Sequence, residues 1–344
     1  MKRRLGVVAV VFATLLLGAA GAQATPVLLN PGAGLAANPA ALAAFGRAAL
    51  TWGGWLNDPI TVNINANLVN MGSPVILGST SSVFLASDYS TIRNQMVLDA
   101  SMDAGDAIVA SAPTAAQFSA DVPAGFGLNG DMAGTKANLK AMGFGGLDGA
   151  FGWSDADMTF NSEFNFDYDS SDGITAGYYD FETVALHEIG HVLGFVSVVD
   201  AIDYFLAQNM TIDSYVYPLD LFRFGPRLPT TAAEFTTFPR SLLPGYEAWF
   251  SDLDNLWSMS TGYYTGDGHQ ASHWKADELT LFYIGLMDPT LASATSEWIT
   301  YADLRALDVI GWDVRSAPVP EPGSMLLLGT GLVGLGRAWR KRRG

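Results

Sequence analysis

Two of the four histidines stand four residues apart in Ala185-Leu-His-Glu-Ile-Gly-His-Val-Leu-Gly-Phe195, and that spacing constrains the rest of the chain. On an α-helix, residues i and i+4 project from one face, so His187 and His191 can offer two imidazole nitrogens to one metal ion. Glu188 then stands beside the ion rather than on it. A carboxylate there is placed to act as a general base toward water, the arrangement of the His-Glu-x-x-His zinc motif. A chance match on a helix with two structural histidines is the competing reading. The apolar flanks, the terminating glycine and the residues downstream weigh against it. Asp180 reads as the N-cap of this helix, Glu182 favours its first turn, and Gly194 ends it. Val184, Ala185, Ile189, Val192 and Leu193 supply the face that packs it against a sheet.

The chain has no cysteine, which excludes disulfides, thiolate ligands and cysteine nucleophiles. Any metal must be held by His, Asp or Glu. A catalytic zinc takes three protein ligands and keeps one position open, so a third ligand is needed. In the extended motif His-Glu-x-x-His-x-x-Gly-x-x-His it lies three residues past the glycine. The sequence matches through Gly194 and then places Ser197 at that position. Asp200, three residues further on, falls out of register. The remaining histidines, His269 and His273, both lie in Asp267-Gly-His-Gln-Ala-Ser-His-Trp274, and Met287 precedes Asp288-Pro289 shortly after. A downstream glutamate such as Glu234 or Glu247 is the alternative third ligand, but it leaves Gly194 and Met287 without a role.

A helix ended by glycine, a late His-Trp and then a Met before Asp-Pro together resemble leishmanolysin-type metzincins. In that group an insertion separates the glycine from the third zinc histidine, and a Met-turn underlies the metal. Phe195-Val-Ser, Leu219-Asp-Leu-Phe-Arg223, Ser272-His-Trp274, Met287-Asp-Pro289 and Leu304-Arg-Ala-Leu-Asp-Val-Ile-Gly-Trp312 also look like a group of PEP-CTERM-bearing bacterial metallopeptidases. The resemblance covers roughly residues 157 to 314. It implies His187, His191 and His273 as Zn²⁺ ligands, Glu188 as base and Met287 as the turn methionine, with His269 as the fallback ligand. The implied activity is secreted, zinc-dependent cleavage of a protein or peptide substrate. A non-catalytic surface or extracellular-matrix protein that keeps a metal-stabilised zincin fold is the rival class. Tyr283 or Tyr301 could help stabilise an oxyanion, and nothing in the sequence selects between them.

The ends of the chain are separate from this core. Met1-Lys-Arg-Arg, an apolar run from Leu5 to about Ala20, and Ala22-Gln-Ala24 have the three zones of a signal peptide, residues 1–24. At the other end, Pro318-Val-Pro-Glu-Pro-Gly323 precedes an apolar run, Met325 to Leu335, and then five basic residues. This tail, within residues 317–344, resembles the PEP-CTERM sorting signal. That implies export, recognition by exosortase-type sorting machinery, and transient membrane anchoring through the apolar run, which is marginal for a spanning helix. The two tails hold eight of the 18 basic residues and one of the 34 acids, so the body carries ten against 33. Such an acidic body makes nucleic acid and anionic membranes poor partners.

The body reads as an α+β zincin, metzincin-like fold: a mixed twisted sheet and the motif helix in residues 25–194, and a more irregular C-terminal subdomain in residues 195–316. Helices are expected from Asn38 to Leu56, from Ser90 to about Val109 and from Thr300 or Tyr301 onward. Ile60 to Leu68, Val75 to Leu85 and Leu219 to Phe224 read as strands, and Ala110 to Gly152 as loops with one short helix. Asp157 to Phe166 alternates like a strand, and it is expected to pair with the substrate backbone. Asp167, Asp169 and Asp172 cluster before Gly173; Ca²⁺ binding is one reading of them, and a solvated turn the favoured one.

Overall fold

The computed structural model describes residues 24–100 and 104–316. The segment expected as a signal peptide, apart from Ala24, and the sorting segment lie outside the described residues. Strand β1 (Val27–Pro31) leads to helix α1 (Pro39–Trp55), capped by the Asn38 side chain on Ala41 N–H and begun by proline. β2 (Val62–Val69), β3 (Gly78–Ser82) and β4 (Phe84–Asp88) follow, then α2 (Tyr89–Ala100), β5 (Gly127–Thr135), α3 (Lys136–Ala141) and β6 (Ala156–Asn161). The motif helix is α4 (Phe181–Leu193). After it come α5 (Val199–Ala207), β7 (Asp213–Val216), β8 (Ala248–Ser251), β9 (Leu256–Met259) and α6 (Tyr301–Asp308). Helices and mixed sheets thus make the chain α+β in class.

The first sheet has the order β1-β2-β6-β3, with β1, β2 and β6 parallel and β3 antiparallel to β6. The second has the order β7-β5-β4, and a small antiparallel sheet joins Arg223–Phe224, β8 and β9. One buried apolar cluster runs from Leu35 to Trp312, so the segments on either side of Gly194 share a core. Phe160 of β6 packs on Phe45 of α1 and on Phe181 of α4, which fixes the motif helix against the sheet.

Several expectations from sequence are corrected. The Ala110–Gly152 region, expected as loops with one short helix, contains β5, the central strand of the second sheet, and two short helices. Its sequence, Gly-Leu-Asn-Gly-Asp-Met-Ala-Gly-Thr, has no large apolar alternation; pairing on both edges makes it a strand. Leu219–Phe224 is mostly a 3₁₀ turn, Pro218–Phe222, because the Asp220 carboxylate accepts Tyr217 N–H and Val198 N–H and caps it. The helix from Ser90 stops at Ala100, and a separate 3₁₀ segment, Ala104–Ser111, follows. The Asp157–Phe166 strand ends at Asn161, whose carboxamide accepts Met71 and Glu163 N–H and donates to Ser73 and Ile76 carbonyls, turning the chain. Both edges of β6 are occupied, by β2 and β3, so it has no free edge for a substrate.

Buried carboxyls give the fold a pH dependence. Burial first, then Asp313 and Asp99, push Asp58 up to about 8, although Asp313 N–H opposes this and Arg315 also faces it. A carboxyl whose folded pKa lies above its unfolded value adds stability that is complete below about pH 4 and lost as pH rises through the folded pKa. Asp308 and Glu297, pushed up to about 8 and about 9 chiefly by burial, act in the same direction. These carboxyls, together with Asp99, outnumber the buried histidines His187, His191 and His273, whose depressed pKa values oppose them, so thermal unfolding is expected at higher temperature at pH 5 than at pH 8.5. Asp58→Asn should flatten part of that slope, on the order of a few kcal/mol. An unchanged slope in the variant would refute the assignment to Asp58.

Candidate metal centre

Helix α4 is held on three sides through its own carbonyls. Trp52 Nε1 donates to Leu186 O at 2.8 Å, Trp312 Nε1 to Leu193 O at 2.7 Å, and Thr80 Oγ1 of β3 to Glu188 O at 3.1 Å. Its N-cap is Asp180, which accepts Glu182 N–H and the Thr183 hydroxyl. Its C-cap is Gly194 at φ 114°, where a side chain would be strained. Helix limits, cap and terminator all match the sequence reading.

His187, His191 and His273 converge from this helix and the distant loop. The Nε2 atoms of His187 and His191 lie 3.1 and 3.2 Å from Nε2 of His273. Each Nδ1 faces a backbone carbonyl: His187 with Leu286 O at 2.8 Å, His191 with Phe195 O at 2.8 Å, His273 with Gln270 O at 3.1 Å. A carbonyl only accepts, so each Nδ1 carries the proton and each Nε2 presents a bare lone pair. Burial pushes His187 down to about 3 and His191 down to about 4, and holds His273 well below the usual histidine range. Three neutral imidazoles thus direct three lone pairs at one another.

That arrangement repels itself unless a cation lies between the rings. Three nitrogens about 2.0–2.1 Å from a tetrahedral zinc stand about 3.3 Å apart, close to the spacing here. The donor set, its tautomers and its spacing therefore fit Zn²⁺.

Glu188 is buried beside His187, and burial pushes its carboxyl up to about 7. It faces Gly78 of β3, where an added Cβ would stand 2.8 Å from Oε1; glycine at the strand edge makes the room. Met287 lies under the helix, and a Cβ on Gly190 would collide with its sulfur. Gly190 and Gly78 therefore have packing roles that the motif spacing alone did not reveal.

Ser197, where the uninterrupted motif has its histidine, donates its N–H to the Ser272 hydroxyl at 2.9 Å, one residue before His273. Asp200 is not in the histidine group; its carboxylate accepts Ala271 and Ser272 N–H and the Ser272 hydroxyl, bracing the loop that carries His273. His269 bridges to Gly262 and stands outside the group. Glu234, in the first turn of a short helix capped by Thr231, accepts the Thr230 N–H and hydroxyl, and Glu247 lines a separate cleft with Trp249, Trp257 and Phe282. The Tyr283 hydroxyl donates to Trp298 O, and Tyr301 packs on Trp257.

Asp167 accepts Thr175 and Asp169 N–H, and Asp169 accepts Ser171 N–H, so these carboxylates serve a turn. Among the described residues the acids whose oxygens come together are Asp277, Glu278 and Asp288.

Residues 318–343 match the PEP-CTERM protein-sorting motif. The chain is therefore an exported bacterial protein, sorted to the cell surface or beyond, and exosortase sorting machinery is its partner. No curated protein and no solved structure matches the chain. Among the described residues no helix is long and apolar enough to cross a membrane; the apolar run Met325 to Leu335 lies outside them.

Proposed function

We propose that the chain is a zinc-dependent endopeptidase of metzincin-like fold, acting outside the inner membrane on a protein or peptide. The observation that carries this reading is the set of three bare Nε2 atoms, with Glu188 adjacent on the same helix. Zn²⁺ held by His187, His191 and His273 would supply Lewis acidity toward a carbonyl and lower the pKa of water toward neutrality. Glu188 takes a proton from the attacking water and returns it to the departing amine nitrogen. Met287 supports the helix from below at Gly190.

The sheet order supports one place for the substrate. β3 ends the first sheet, lies antiparallel to β6 and touches α4 through Thr80 and Ser82. An extended peptide added to its outer edge would run past Glu188, with backbone hydrogen bonds giving sequence-tolerant binding. β3 therefore takes the role expected of the strand at Asp157–Phe166.

Purified mature protein is expected to carry about one zinc per chain and to cleave casein. Chelation should remove both properties, and added Zn²⁺ should restore both. Absence of zinc after loading would sink the metal centre. Zinc without cleavage of any protein substrate would favour the non-catalytic surface protein.

A further inference from the structure

The buried carboxylate of Asp303, at the start of α6, is 0 % exposed and receives four N–H groups. Oδ1 accepts Trp274 Nε1 at 2.8 Å and Met287 N at 3.1 Å; Oδ2 accepts Leu286 N at 2.8 Å and Thr300 N at 2.7 Å. Thr300 with Asp303 three residues later reads in sequence as an ordinary capping box. Only one of the four donors belongs to that cap. The other three come from the residue after His273 and from the turn under the metal centre.

The peptide group between Leu286 and Met287 makes this more than packing. Its N–H points at Asp303, and its carbonyl accepts the Nδ1 proton of His187. A carboxylate at one end and an imidazole at the other polarise the same amide, and each bond in such a chain strengthens the next. The order is carboxylate, peptide, imidazole, and it ends on the Nε2 lone pair of His187. The same oxygen, Oδ1, holds the Trp274 indole, and Trp274 N–H bonds to Met287 O. One carboxylate thus couples the two histidines that are 86 residues apart in sequence.

We infer that Asp303 is a positioning residue for the metal centre: through the Leu286–Met287 peptide it fixes the tautomer and basicity of His187, and through Trp274 it fixes the place of His273. This rests on the proposed metal site. Direct carboxylate–histidine–metal pairs change metal affinity 10–100-fold when the carboxylate is lost. Here a peptide is interposed, and a second ligand is held as well.

The test is zinc affinity of the full mature chain, measured by competition with a chromophoric chelator, alongside apo-protein melting and the visible spectrum of the Co²⁺ form. Asp303→Asn puts an NH₂ among N–H donors. It is expected to weaken zinc binding about 10–100-fold and to alter the Co²⁺ bands. Trp274→Phe removes the indole donor together with part of a buried ring that packs on Phe195, Phe250 and Trp257, and should weaken binding about tenfold. It serves as the readout if Asp303→Asn does not fold. Thr300→Val removes the hydroxyl's bonds to Asp303 and to Ile284 O but keeps the three N–H bonds from Leu286, Met287 and Trp274. It should lower apo stability while leaving zinc affinity within about twofold of wild type. Wild-type affinity in Asp303→Asn or Trp274→Phe, or equal weakening in Thr300→Val, would overturn the positioning role. A wild-type chain that binds neither ion would overturn the metal centre itself, and the positioning role with it.

Discussion

Replacing His273 by alanine is expected to weaken zinc binding by a few hundredfold, whereas His269→Ala leaves it unchanged. The magnitude follows from the number of ligands. Zinc sites bind with about 10–16 kcal/mol spread over four ligands, so one imidazole contributes on the order of 3 kcal/mol. His273 Nε2 is the atom that both helix histidines face, at 3.1 and 3.2 Å, so its loss leaves two nitrogens that no longer close a tetrahedral face. His269 differs in place, not chemistry: its backbone bridges to Gly262 and its ring stands outside the group. Equilibrium dialysis of the two variants against buffered zinc decides between them. Stronger loss in His269→Ala would make His269 the third ligand in place of His273.

The helical half of this site was legible because it is local. Spacing of four, an N-cap acid and a terminal glycine are properties of one segment, and α4 has the limits they set. His273 was reached by elimination and by resemblance, since the chain has four histidines and no cysteine. What the sequence hid lies in contacts between distant segments. Gly78 falls inside the strand expected from Val75 to Leu85 and shows no role until β3 is laid beside Glu188, and Asp303 is only a residue in the first turn of a helix until Trp274 and Leu286 arrive at its oxygens. β5 was missed for a related reason: its small and polar residues carry no period-two pattern, and its two neighbours define it. The misplaced substrate strand is a matter of sheet order. Alternation identified β6 as a strand but could not say that β2 and β3 would cover both of its edges.

Glu188→Gln is expected to abolish most hydrolysis while zinc stays bound, and the two readings must be made on the same sample. Glutamine keeps the shape of the side chain in the space that Gly78 leaves, so neither helix α4 nor β3 has to move. It has no basic oxygen, so the proton of the attacking water has no acceptor at the right place. General bases contribute about 10²–10⁴-fold, and the loss in kcat/KM should fall in that range. KM should change little, because the peptide binding proposed along β3 would use backbone groups and not this carboxylate. The three Nε2 atoms and their carbonyl-bound Nδ1 partners are untouched, so zinc content should match the parent. Unchanged kcat/KM would remove Glu188 from the chemistry. Loss of zinc together with activity would instead make its role structural, since a group that only holds the metal centre together cannot be separated from it by a shape-preserving change.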